Sequence, residues 1–195
     1  MKNKLQKIGL TLSLTAALFV STNVFSDEYI IDTEGAHASI QFKISHLGYS
    51  WMWGRFNEFE GSFSYDEKNK SASKISVTVK TASIDSNHAE RDKHLRDTDI
   101  LDVNKFPEAT FVSTSYKEST DGKSTLKGLL TLHGVTKEID IDVLQVGAGK
   151  DPWGGFRRGF EGRTRIALKD FGIMKDLGPA SAELELIFDF EGIKK

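Results

Sequence analysis

From residue 38 onward the chain alternates apolar and polar residues with a period of two, and nothing else in the sequence restricts its fold so tightly. Ile40, Phe42 and Ile44 alternate with Ser39, Gln41, Lys43 and Ser45. Ile75, Val77 and Val79 alternate with Ser76, Thr78 and Lys80, and Ile139, Ile141 and Val143 with Glu138, Asp140 and Asp142. Leu184, Leu186, Phe188 and Phe190 face away from Glu183, Glu185 and Asp189. Successive strand side chains point to opposite faces, so each segment has one dry and one wet face. Buried parallel strands would instead read as unbroken apolar runs. Turn signals separate the strands: Asp66-Glu67-Lys68-Asn69, Asp121-Gly122, His133-Gly134 and Gly147-Ala148-Gly149. About eight to ten strands with short connections predict antiparallel neighbours.

One-sided strands must hide their dry faces, either between two sheets or inside a sheet closed on itself. An eight-stranded barrel can be filled by its own side chains or hold one small ligand, and both outcomes leave the same alternation. One segment departs from the pattern. Ser86 to Arg96 (SNHAERDKHLR) predicts a short, charged, solvent-facing helix, with Asn87 and Glu90 spaced as a capping box.

The first 26 residues read as an address. Lys2, Lys4 and Lys7 precede the mostly apolar run Ile8 to Val20, and Ser26 supplies a small residue before Asp27. This layout predicts a secretory signal peptide cleaved after Ser26, leaving a single domain over 27–195 and, in a Gram-negative host, a periplasmic product. Of the 26 basic side chains three fall in that segment, so the remainder carries 23 against 28 acids, a net charge of −5. That balance argues against a nucleic-acid binder. No cysteine is present, which excludes disulfides, thiolate metal sites, thiol catalysis and a lipoprotein anchor. No remaining stretch is long and apolar enough for a membrane-spanning helix.

Enzyme signatures are missing: there is no GxxxxGK[ST], no HExxH, and Gly48-Tyr49-Ser50-Trp51-Met52 lacks the final glycine of a nucleophile elbow. His88 and His94 are six apart, which on a helix places them on different faces, unlike a zinc pair at i, i+4. The expectation is therefore no catalytic residue, no metal and no bound cofactor.

Specific strings go further. They are Ser45-His46-Leu47-Gly48-Tyr49-Ser50-Trp51, Asn87 to Arg96 followed by Phe106-Pro107-Glu108-Ala109-Thr110-Phe111, and Leu132-His133-Gly134-Val135-Thr136-Lys137. Asp151-Pro152-Trp153-Gly154-Gly155 and Lys169-Asp170-Phe171-Gly172-Ile173 complete the set. Together, and in this order, they resemble the YceI family of periplasmic proteins. The resemblance implies a lipocalin-like closed antiparallel barrel that binds a polyisoprenoid or related long-chain lipid in an apolar pore, with no catalytic residues to carry over. An isoprenoid quinone or a prenyl precursor fits that description. Two other readings stay open: an enzyme acting on a prenyl or acyl compound, and a stress-related interaction module with a filled barrel.

On this reading the candidate pore lining is Phe42, Ile44, Trp51, Trp53, Phe56, Phe63, Phe111, Leu130, Leu132 and Phe160. The same residues serve equally as plain barrel core. Candidate headgroup contacts at the mouth are Arg91, His94, Trp153 and Arg157, cations and an aromatic ring that suit a phosphate or a quinone oxygen. Their alternative is a solvated surface laced with ion pairs.

Overall fold

The alternation folds as strands nearly throughout. In the computed structural model, residues 26–119 and 123–195 are described. Most of the expected export signal and the Asp121-Gly122 turn lie outside the described residues. The described residues form eleven strand segments: β1 (Asp27–Ile31), β2 (Ala38–His46), β3 (Ser50–Phe56), β4 (Phe59–Tyr65), β5 (Lys74–Lys80) and β6 (Ile84–Asp85) come first. After the helix α1 (Ala89–Leu95) follow β7 (Glu108–Glu118), β8 (Ser124–Leu132), β9 (Val135–Lys150), β10 (Phe156–Ala167) and β11 (Glu183–Lys194).

Pairing turns eleven segments into eight staves. β11 pairs with β2 from Leu184↔Ile44 to Phe190↔Ala38, then with β1 from Gly192↔Ile31 to Lys194↔Tyr29. β2 pairs with β3 while β1 pairs with β4, and β4 pairs with β5 while β3 pairs with β6. Thus β1/β2, β3/β4 and β5/β6 are each one stave broken mid-course. All pairings are antiparallel, each stave lies beside the next in the chain, and the last closes on the first. Closure consumes the sheet edges that an open sheet would expose. The first break is the turn at residues 32–37, where Asp32 Oδ1 accepts from the Gly35 amide at 2.8 Å.

Inside, bulky rings from one stave lie over glycines of another. A Cβ on Gly54 would stand 2.2 Å from Phe42 Cζ, and one on Gly128 2.3 Å from Phe111 Cζ. Glycine is required at both positions because the ring occupies the side-chain space. Buried side chains gather in three groups around the lumen: Tyr29, Phe63 and Tyr65 at one end, Phe42, Ile84, Ile100 and Leu101 at the other, and Phe111, Tyr116, Ile141 and Val143 along one wall.

Three local expectations are corrected. Gly147-Ala148-Gly149 is not a turn: β9 runs through it to Lys150, and the chain reverses at residues 151–155, where Asp151 Oδ1 accepts from the amides of Trp153 (3.0 Å) and Gly155 (2.7 Å). A side chain at Gly147 or Gly149 would meet nothing within 4 Å, so this strand extension has little to pack against. Second, His88 rather than Asn87 caps α1, its Nδ1 accepting from the Arg91 amide at 3.3 Å, while Asn87 takes φ +61°. Third, α1 does not face solvent on every side. Asp92 is buried and accepts from the backbone and hydroxyl of Ser86, and Leu95 packs on the core beside Ile100.

Candidate functional site

The lumen is not filled. A cavity of about 610 Å³ runs inside the barrel, bounded at one end by Leu47, Arg91, His94 and Leu177 and at the other by Tyr65, Ser73, Lys74 and Tyr116. This lies within the usual range for a small-molecule pocket. On β7 its lining extends from Ala109 to Tyr116, roughly 20 Å of strand at the usual rise per residue. Its walls come from the alternating dry faces: Ile75, Val77 and Val79 on β5, Ile139, Ile141 and Val143 on β9, and Leu184, Leu186, Phe188 and Phe190 on β11.

Nine of the ten residues expected in the pore border this cavity: Phe42, Ile44, Trp53, Phe56, Phe63, Phe111, Leu130, Leu132 and Phe160. Trp51 does not. In β3 the inward parity belongs to Met52, Gly54 and Phe56, because Met52 stands opposite Ile44 and Gly54 opposite Phe42. Trp51 and Trp53 stand opposite Ser45 and Lys43 and are 59% and 50% exposed. The Lys43 ammonium lies 4.4 Å from the Trp51 ring centroid and 5.5 Å from that of Trp53, a cation–π stack on the outer wall. Trp53 thus meets the cavity with only part of its surface.

The four expected mouth residues separate to opposite ends. Arg91 and His94 border the cavity at the helix end. Arg91 donates through Nε to Ser86 Oγ (2.7 Å) and through Nη2 to the Ser86 carbonyl (2.6 Å), so its charge is held in place. His94 Nε2 lies 3.4 Å from Asp99 Oδ2, and the Lys175 ammonium, with His94 adding to it, holds the Asp99 carboxyl below its ordinary range. His46, Leu47, His94 and Asp176 are exposed as well as lining, so the cavity opens to solvent here.

Arg157 and Trp153 belong to the far end and do not border the cavity. Trp153 is 78% exposed, with the Arg157 guanidinium 5.4 Å from its ring centroid. Arg157 donates to Asp32 Oδ2 (2.6 Å), to Asp151 Oδ2 (3.0 Å) and to Glu191, tying the 32–37 turn, the β9–β10 turn and β11 together. The His37 ring, with Arg157 and the Gly35 amide, pulls the Asp32 carboxyl down to about 2 against the opposing effect of burial. Asp32, His37 and Glu191 each bring a ligand-type atom within 4.8 Å of the others, a spacing a metal ion could use. Arg157 already reaches Asp32 and Glu191, so the site carries its own cation.

Arg158, which the sequence offers beside Arg157 as a second cation for an anionic headgroup, is instead buried. It is 2% exposed, its guanidinium 4.1 Å from the Tyr65 ring centroid, with Nε donating to the Tyr29 hydroxyl at 3.3 Å and Nη2 to Glu67. The bulge between Gly159 and Phe160 shifts the register of β10 against β9, which blurs the parity signal at this position.

A family model, the YceI-like domain, matches residues 29–192. The chain belongs to the YceI family. A UPF0312 protein of Pseudomonas aeruginosa is 54% identical over 191 residues, covering 98% of this chain and all of that one. A UPF0312 protein of Yersinia enterocolitica is 53% identical, covering 96% and 97%. Among solved structures, the Campylobacter jejuni YCEI protein superposes with a TM-score of 0.70 at 29% identity, over 78% of this chain and 90% of that one. Burkholderia cenocepacia BcnA (TM-score 0.74, 19% identity, 83% and 98% covered) shares the fold. So does a polyisoprenoid binding domain from Saccharophagus degradans (0.63, 14%, 86% and 98%). In this YceI-family chain, no helix among the described residues is long and apolar enough to cross a membrane.

Proposed function

We propose that this YceI-family barrel carries or buffers one long-chain isoprenoid lipid, a quinone or prenyl precursor, in the periplasm of a Gram-negative host and without catalysis. The observation that carries the reading is the apolar lumen of about 610 Å³ that the strands leave unfilled. Each isoprene unit moved from water into such a lumen contributes roughly 3–4 kcal/mol gross, at ~0.8 per methylene. Immobilisation offsets part of that gain, so a few units give useful affinity without a headgroup contact. The fold shared with the Saccharophagus degradans domain supports the same ligand class. Arg91 and His94 flank the opening by which the lipid enters. The lipid is held non-covalently and no cofactor takes part.

Titrating a fluorescent polyene lipid into the purified protein tests the proposal. Wild type should saturate at one lipid per chain. Leu130→Trp and Leu186→Trp, which push bulk into the empty lumen, should lose binding at least tenfold while melting close to wild type. Equal binding by the filled variants would refute the lumen as the site. Turnover of the lipid by the purified protein would refute the carrier role in favour of an enzyme.

A further inference from the structure

The far end of the lumen is polar in a way that an isoprenoid tail does not require. Ser73, only 8% exposed, borders the cavity, and its Oγ has no hydrogen-bond partner. Arg158, which does not itself border the cavity, stacks on Tyr65 and has a buried Nη1 without a partner. Tyr65 and Tyr116 border the same end, and their hydroxyls are fixed in direction: Tyr65 donates to Gln145 Oε1 at 3.2 Å, and Tyr116 to Ser124 Oγ at 2.7 Å. Both oxygens keep lone pairs free to accept. The turn Lys70–Ala72, immediately before Ser73, packs on β7, the strand that carries Tyr116. A buried polar group left unpaired is destabilising, and such groups call for an explanation.

Resting on the carrier reading above, we infer that this end is a polar subsite for a hydroxyl at the deeply inserted end of the lipid. Ser73 supplies a donor and Tyr65 and Tyr116 supply acceptors, and a hydroxyl accepts from Ser73 while donating its single hydrogen to one of the two tyrosine oxygens. The Arg158 charge is already met by Glu67, which disfavours a full anion as the preferred guest. The lipid therefore lies with its alcohol at the far end and its hydrocarbon running toward α1.

The test compares geranylgeraniol with the corresponding C20 prenyl hydrocarbon. Wild type should bind the alcohol about five- to tenfold more tightly, the range expected for one net hydrogen bond at a buried site. Ser73→Ala should reduce that preference to about twofold while the melting temperature of the empty protein holds or rises, since the variant removes an unpaired hydroxyl. With carbinol-labelled geranylgeraniol, isotope-filtered NOEs should connect the CH2OH protons to the rings of Tyr65 and Tyr116. NOEs to Leu47 or Leu177 instead, or an undiminished preference in Ser73→Ala, would overturn the subsite while leaving the carrier intact. Failure of both lipids to bind wild type would bring down the carrier reading and the subsite with it.

Discussion

The two ends of the barrel are built on different principles. At the far end, long-range ionic contacts hold the staves: Arg157 reaches three carboxylates from three segments, and Arg158 is buried between Tyr29 and Tyr65. At the helix end the cover is made of irregular chain, α1 with the residues after it and the stretch between β10 and β11, held on the staves by apolar plugs such as Ile100, Leu101, Leu168 and Ile173. One end is fixed by directional bonds that tolerate little movement. At the other, α1 is pinned to its own stave by Arg96 on the Ala82 and Ile84 carbonyls and by Asp92 on Ser86. The rest of the cover is closed by non-directional burial, which can part locally at modest cost. A lumen that must admit a long chain needs one end of each kind.

The largest test of the contrast is Arg157→Ala. It removes the cation from the Asp32, Asp151 and Glu191 carboxylates at once, leaving Asp32 to His37 and the Gly35 amide. We expect a loss of about 3 kcal/mol in denaturant unfolding. Arg157→Lys should recover only part of this, because an ammonium cannot reproduce a planar fork spread over three acceptors. A loss under 0.5 kcal/mol would mean that the far end is held by packing alone.

Next comes Ile100→Ala, with an expected cost of about 2 kcal/mol. Much of its effect should appear as faster amide exchange confined to α1 and residues 97–106. Uniform acceleration across β9–β11 would show that the helix end opens only with the whole barrel.

Acid offers a smaller effect. Asp32 titrates near 2 in the folded protein against an ordinary value of 3.8, so its contribution is complete above about pH 4 and is lost as pH falls through about 2. The expected loss across that window is on the order of 1–2 kcal/mol, allowing for solvent screening. The part due to Asp32 should vanish in Asp32→Asn; an unchanged acid slope in that variant would assign it to other carboxylates.

Smallest is Trp51→Ala. The ring stacks with Lys43 on the outer wall, so stability should fall by no more than about 0.5 kcal/mol and lipid binding should stay as it was. A tenfold loss of binding would return Trp51 to the pore.

The walls of the lumen were legible in the sequence because parity is a local property: Ile40-Phe42-Ile44 and Leu184-Leu186-Phe188-Phe190 needed nothing beyond period two. Trp51 was misread because aromatic size suggested an interior place, whereas parity with Met52 and Gly54 put it outside. Nothing local marks Gly54 as an inward position; the ring that fills its space comes from Phe42 on the neighbouring strand. The two ends were the least legible. Arg157 and Arg91 look alike as isolated cations. The up-and-down order of the staves puts the connection after the third, which carries Arg91, and the one after the sixth, which precedes Arg157, at opposite ends. Ser73 carries no local signal at all, and Arg158 is legible as a cation but not as a buried one; what distinguishes both is a missing partner in three dimensions.

Native mass spectrometry of protein purified without detergent bears most directly on the central idea. Wild type should carry a single adduct with the mass of a long-chain lipid, and Leu130→Trp prepared in parallel should be bare. Wild type that is reproducibly bare, or a filled variant with the same adduct, would contradict the account.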